Sequence, residues 1–133
     1  MVHTLPDPEF VCLYVSQLAP GTDLVEVQRI IREARRRHTG LGLRGALVFD
    51  GERFAQLIAG RQALLESASA FIESDARMTG LRLLHRGSNP PTLPPRWSSG
   101  YCGPHDLDGV VAAGGGYTAV QDFTRLLADA EMD

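Results

Sequence analysis

Two polar side chains stand inside apolar runs of this chain, and their chemistry needs a partner that the runs do not supply. Gln56 lies at the centre of ERFAQLIAG (52–60), and Tyr14 lies within FVCLYVS (10–16). Strand residues alternate between faces, so Gln56 shares a face with Phe54 and Ile58, and Tyr14 shares one with Phe10, Cys12 and Ser16. A buried primary amide carries two donors and an acceptor, and each group left unpaired costs about 1–3 kcal/mol. If both residues face the same way, a phenol hydroxyl meets a carboxamide within an apolar layer. One phenol cannot satisfy a whole carboxamide, so something else must engage Gln56. A buried water would complete a purely structural pair. A planar polar ligand, held over the sheet between two helices, would make the same pair a binding site.

No other constellation of reactive side chains stands out. The four histidines, His3, His38, His85 and His105, are scattered, and no Ser/His/Asp, zinc or phosphate-loop pattern is present. An acylphosphatase-like hydrolase would need an arginine in an anion-cradling loop after the first strand, and SQLAPGTD (16–23) contains none. An enzyme is therefore not expected. Cys12 and Cys102 form no metal-ligand spacing and suit a reducing compartment. Cys12 sits in an apolar run, as a small core residue does.

The bulk properties narrow the class further. A chain of 133 residues is the size of one domain, and at this length roughly two-thirds of the unfolded surface can be buried. The formal charge of −3 opposes a nucleic-acid partner. No apolar run approaches the ~20 residues that span a bilayer, so no membrane partner is expected. The start, MVHTLPDPEF, has neither the basic nor the apolar region of a secretory signal. A cytoplasmic location is the expectation.

The elements that must position Tyr14 and Gln56 follow from periodicity and punctuation. Residues 1–8, with Pro6 and Pro8, read as a leader, and FVCLYVS reads as a first strand. Asp23 with Glu26 forms an N-cap signature, after which Leu24, Val27, Ile31 and Ala34 mark a helical stripe. Arg35, Arg36, Arg37 and His38 crowd its last turn, where cations suit the helix dipole, and Gly40 is the expected C-cap. RGALVF (44–49) and RFAQLI (53–58) flank the Asp50-Gly51 hairpin signal. Leu64, Leu65, Ala68, Phe71 and Ile72 predict a second amphipathic helix with all five on its core side, followed by a strand at LRLLH (81–85). NPPTLPP (89–95) excludes helix and central strand. A short strand over 97–102, a flexible joint at GVVAAGGG (109–116) and a helix over 117–130 complete the chain. The order β-α-β-β-α-β with a fifth strand predicts an α+β, ferredoxin-like fold. Two helices should cover one sheet face and the C-terminal helix the other, with the first and third strands as central neighbours. The expected organisation is a leader at 1–8, a domain at 9–102, and a linker with a terminal helix at 103–133.

Tyr14 in LYVS, the helix ending in ARRRHTGLGLRGAL, the hairpin VFDGERFAQLIAG and the late Trp97 together resemble a BLUF domain, a flavin-based blue-light sensor. The resemblance covers about residues 10–100. It implies FAD bound between the two helices, with its isoalloxazine ring over the central strands. By position, Tyr14 matches the family's photoactive tyrosine, Gln56 its switching glutamine and Trp97 its semi-conserved tryptophan. Tyr14, Ser16, His38 and Gln56 are the implied cofactor contacts. The implied function is a short stand-alone photoreceptor. It would signal to a separate downstream protein, or within a homo-oligomer, through rearranged Tyr–Gln–flavin hydrogen bonds.

Four positions depart from the family pattern. His38 stands where the family has an asparagine gripping the flavin's imide edge, and Phe71 stands where a basic side chain is common. The family's Q-x-x-E-G becomes Gln56-Leu57-Ile58-Ala59-Gly60, and its Trp-x-Met becomes Trp97-Ser98-Ser99. An imidazole can replace only one of the asparagine's two bonds, because its nitrogens diverge. As a core residue, Phe71 could fill part of the space in a flavin-free version. A flavin-free BLUF-fold interaction module is accordingly the alternative.

Overall fold

The computed structural model describes residues 9–88, 93 and 96–132. Its elements run β1 (Glu9–Leu18), α1 (Leu24–Gly40), β2 (Arg44–Phe49), β3 (Arg53–Arg61), α2 (Gln62–Ser74), β4 (Met78–Gly87), β5 (Trp97–Tyr101), α3 (Asp108–Ala112), α4 (Tyr117–Asp129) and β6 (Glu131–Met132). The strands form one sheet in the order β4-β1-β3-β2-β5-β6. The first four give the split βαβ arrangement, with β3 antiparallel to both β1 and β2, while β5 joins β2 in parallel. This is the expected α+β, ferredoxin-like fold with its added fifth strand.

β1 and β3 are central, so both of their faces must be covered, and both faces are apolar. Cys12, Tyr14, Phe54 and Ile58 pack beneath α1 and α2, against Val27, Leu65 and Ile72 among others. Val11, Leu13 and Val15 face the opposite layer, where Leu107 at the N-cap of α3, Val110 of α3 and Phe123 of α4 meet them. The C-terminal helix thus covers the second face, as expected from the two-helix layer on the first.

Several local expectations are corrected. In α1 the buried stripe is Val27, Ile30, Ala34 and His38. Leu24 is 67% exposed and lies outside that stripe. The helix continues through Gly40 and is capped by Leu41, whose backbone N–H bonds the Arg37 carbonyl. In α2, Leu65, Ala68 and Ile72 are buried, while Phe71 is 52% exposed and is not core. Phe71 follows Ala68 by three residues and precedes Ile72 by one, so it flanks the packed face. The expected joint at 109–116 is partly helical, since Val110 anchors α3 in the lower core. The two-residue β6, which pairs with β5, gave no sequence signal. The expected leader at 1–8 and most of the proline-rich connector lie outside the described residues; Leu93, within that connector, is buried.

Candidate functional site

Register places the two polar residues side by side. Tyr14 is the direct Cα partner of Gln56 across β1 and β3, and Gln56 is in turn the partner of Leu47 on β2, which faces Ser99 on β5. One transverse row thus runs Tyr14, Gln56, Leu47, Ser99 beneath the two helices. α2 packs on β1 and β3, whereas α1 packs on β2 and β5. The row therefore lies under the line where the helices part.

His38 supplies the partner that Gln56 requires. Its ring is 0% exposed, and its Nε2 lies 3.2 Å from Gln56 Oε1. The helical stripe explains the burial: His38 follows Ala34 by four residues, so it projects toward the sheet like Ala34 and Ile30. It is not a solvated helix-end cation. Burial holds its pKa down to about 4, a shift opposed by the bond to Gln56 and reinforced by the adjacent Arg37. The ring is therefore neutral near pH 7. Trp97 packs on it, with centroids 4.4 Å apart and planes inclined by 46°.

Tyr14 is buried, and burial pushes its phenol pKa up, with the Ser69 hydroxyl on α2 as the opposing hydrogen-bond partner. Ser16 is also buried, opposite Phe54 and one strand step from the Tyr14–Gln56 row. The structure thus gathers Tyr14, Gln56, His38 and Trp97 under the helices and sets Ser16 at the row's flank. Two neighbours went unrecognised in the sequence. Ser69 follows Leu65 by four residues, so helical spacing already put it near the packed side. Ser99 is bonded by Arg35 at 3.0 Å, and nothing in a Trp-Ser-Ser run announces that contact.

Among the described residues, three buried nitrogens have no hydrogen-bond partner: Arg37 Nε, His38 Nδ1 and Trp97 Nε1. Buried polar atoms are normally paired, so these three carry hydrogen-bonding capacity that the described residues leave unused. The Arg37 guanidinium lies 4.8 Å over the Phe71 ring, so α1 and α2 touch through this pair. Among the described residues no cluster of His, Cys, Asp or Glu can hold a metal, and no helix is long and apolar enough to cross a membrane.

The family model described as "Sensors of blue-light using FAD" matches residues 10–100. No curated protein matches the chain. Among solved structures, BlrB, a BLUF protein in its dark state, is similar with a TM-score of 0.73 at 21% identity, over 92% of this chain and 97% of BlrB. BlsA in its photo-activated state is similar with a TM-score of 0.70 at 19% identity, over 91% of this chain and 93% of BlsA. At these identities the likeness establishes fold. BlrP1 from Klebsiella pneumoniae, in a complex with manganese and cy-diGMP, reaches 30% identity with a TM-score of 0.56 over 61% of this chain. The match spans only 21% of BlrP1. Since the family match covers well over half of the sequence and the sheet order agrees with it, this chain belongs to the BLUF family.

Proposed function

We propose that this protein is a blue-light photoreceptor that holds FAD between α1 and α2. Its Tyr14–Gln56–His38 chain is what responds to light. The observation carrying this reading is the direct pairing of Tyr14 with Gln56 beneath the parting of the helices, beside buried nitrogens that lack partners. The residues fit a flavin ring. Tyr14, Ser16, Gln56 and His38 would hold it, and the orphaned His38 Nδ1 and Trp97 Nε1 have bonding capacity to give. When bound, the flavin supplies visible absorption and an electron acceptor.

The chain's own residues do the rest. Tyr14 is an oxidisable phenol kept protonated by burial. Gln56 can exchange donor and acceptor faces at little steric cost, and its acceptor now points at His38. Reversal of that amide breaks the His38 bond and alters the packing of His38 on Trp97, the first residue of β5. β5 pairs with β6, which follows α4. The output is a shifted population of β5–α4 packings, felt by a separate protein or a second copy in the cytoplasm.

The flavin-free module has one observation in its favour: Arg37 already reaches Phe71 across the two helices. An absorption spectrum of purified protein, taken before and after blue illumination, separates the readings. A yellow preparation with a reversible red shift is expected. A colourless preparation from flavin-replete cells contradicts the photoreceptor and supports the module.

A further inference from the structure

A cavity of about 580 Å³ opens between the end of α1, the turn into β2 and the start of β5, and it is not lined by Tyr14, Ser16, Gln56 or His38. Its floor is apolar: Leu43 and Trp97 line it and are only 3% and 4% exposed. Arg36, Thr39 and Arg96 are exposed and form its rim. Arg35 also lines it and is engaged by Ser99 at 3.0 Å. None of the described lining residues is acidic. Acidic residues outnumber basic ones in this chain, 16 to 13, and Arg29, Arg44, Arg77 and Arg86 each hold a carboxylate. Arg36 and Arg96 hold none among the described residues. Two uncommitted guanidiniums, far apart in sequence, thus meet at one recess with an aromatic floor.

We propose that this cavity binds a phosphate ester with a planar body, of the nucleoside monophosphate kind. The phosphate lies between Arg36 and Arg96, and the ring lies against Leu43 and Trp97. A guanidinium presents paired N–H donors that match two phosphate oxygens, and the Thr39 hydroxyl adds a donor at the rim. A bare anion gains nothing from the apolar floor, and an uncharged ring leaves both guanidiniums unused. The volume suits a small ligand, since such pockets run about 300–1,000 Å³. The negative end of the α1 dipole opposes an anion here, so the attraction must come from the two arginines. The site stands apart from the flavin reading, yet Trp97 touches both places. It lines this cavity and packs on His38, so a bound ring presses on the indole that meets the Tyr14–Gln56–His38 line.

The test titrates the protein as purified, kept dark, with AMP, adenosine and inorganic phosphate by calorimetry. AMP should bind about tenfold or more tightly than either of the others. The chain has one tryptophan, so its indole N–H gives a single 1H–15N cross-peak, which AMP should shift. Arg36→Gln and Arg96→Gln should each weaken AMP about tenfold, as loss of a charge-assisted hydrogen bond does. Arg29→Gln removes the same charge from an exposed position on α1 and should leave the affinity unchanged. Absent AMP binding, or AMP bound no better than adenosine or phosphate, overturns the proposal. So does an indole cross-peak that stays in place, or an Arg29→Gln loss as large as the other two, which would mean a diffuse basic surface. The flavin spectrum of the same samples reads the photoreceptor separately, so either conclusion can fail without the other.

Discussion

Tyr14 and Gln56 are direct partners across the two central antiparallel strands, and Gln56 is bonded on its other side by His38. A phenol, a carboxamide and an imidazole thus form a polar line through a layer otherwise made of Cys12, Phe54, Ile58, Leu65 and Ile72. Removing the ends of that line should have separable effects. Tyr14→Phe keeps ring volume and loses one hydroxyl. It should retain flavin and fold stability within about 1 kcal/mol and abolish the reversible red shift. Normal photocycling in this variant would contradict the role given to Tyr14.

Gln56→Leu should also prevent the shift, with a larger structural cost. The substitution strips His38 Nε2 of its partner and leaves a buried donor unpaired, which costs about 1–3 kcal/mol. Chemical denaturation should show a lower midpoint with an unchanged slope. An equally stable variant would mean that the His38–Gln56 bond contributes nothing in solution.

Acid should destabilise the fold through His38. Its native pKa is about 4, below the unfolded value near 6.5. Between these values the unfolded chain binds a proton that the native ring refuses, so stability rises with pH across the window. Conversely, it falls as pH drops from about 6.5 to about 4, by roughly 3 kcal/mol in all. A His38→Asn variant should flatten this dependence in urea titrations taken at several pH values. An unchanged slope in that variant would assign the acid sensitivity to other groups.

Gly45 is the position in β2 least able to accept a side chain. Its φ is +142°, and a Cβ there would lie 1.8 Å from the Leu57 carbonyl oxygen on β3. Gly45→Ala should therefore cost several kcal/mol, more than the ~1 kcal/mol of an ordinary point substitution. By contrast, Phe71→Ala should cost under about 1 kcal/mol, because it removes only a half-exposed seat for the Arg37 guanidinium. Thermal melts of the two variants should rank accordingly. Equal losses would place Phe71 in the core after all.

Arg77 ties the start of β4 to α1: it bonds Asp75 at 2.9 Å, Glu33 at 2.6 Å and Glu26 at 3.3 Å. Its guanidinium is held charged chiefly by Asp75 and then by Glu33. Arg77→Ala should lower stability by about 1 kcal/mol at low salt, with the difference shrinking as salt rises. A loss independent of ionic strength would point to packing of the arginine stem instead.

The sequence alone determined the order of the elements from β1 to β5, the alternation of faces along β1 and β3, and the two polar residues within those apolar runs. These depend on local periodicity and turn chemistry, which a strand or helix carries wherever it is placed. Tyr14 alternates with Leu13 and Val15, and Gln56 with Leu57 and Ala55, so each was assigned to its face without knowing the neighbour. Only tertiary structure decided which side chains complete the site. His38 sits in a basic helix end that reads as solvated, yet α1 crosses the sheet so that its last turn lies over Gln56. Phe71 fits an apolar stripe, yet α2 settles on Leu65, Ala68 and Ile72 and turns Phe71 outward to Arg37. Helical periodicity limits a buried arc to a range of angles, and its true centre depends on how the helix rolls against the sheet. That roll is settled by long-range packing, and it is what brought His38 against Gln56 and Trp97.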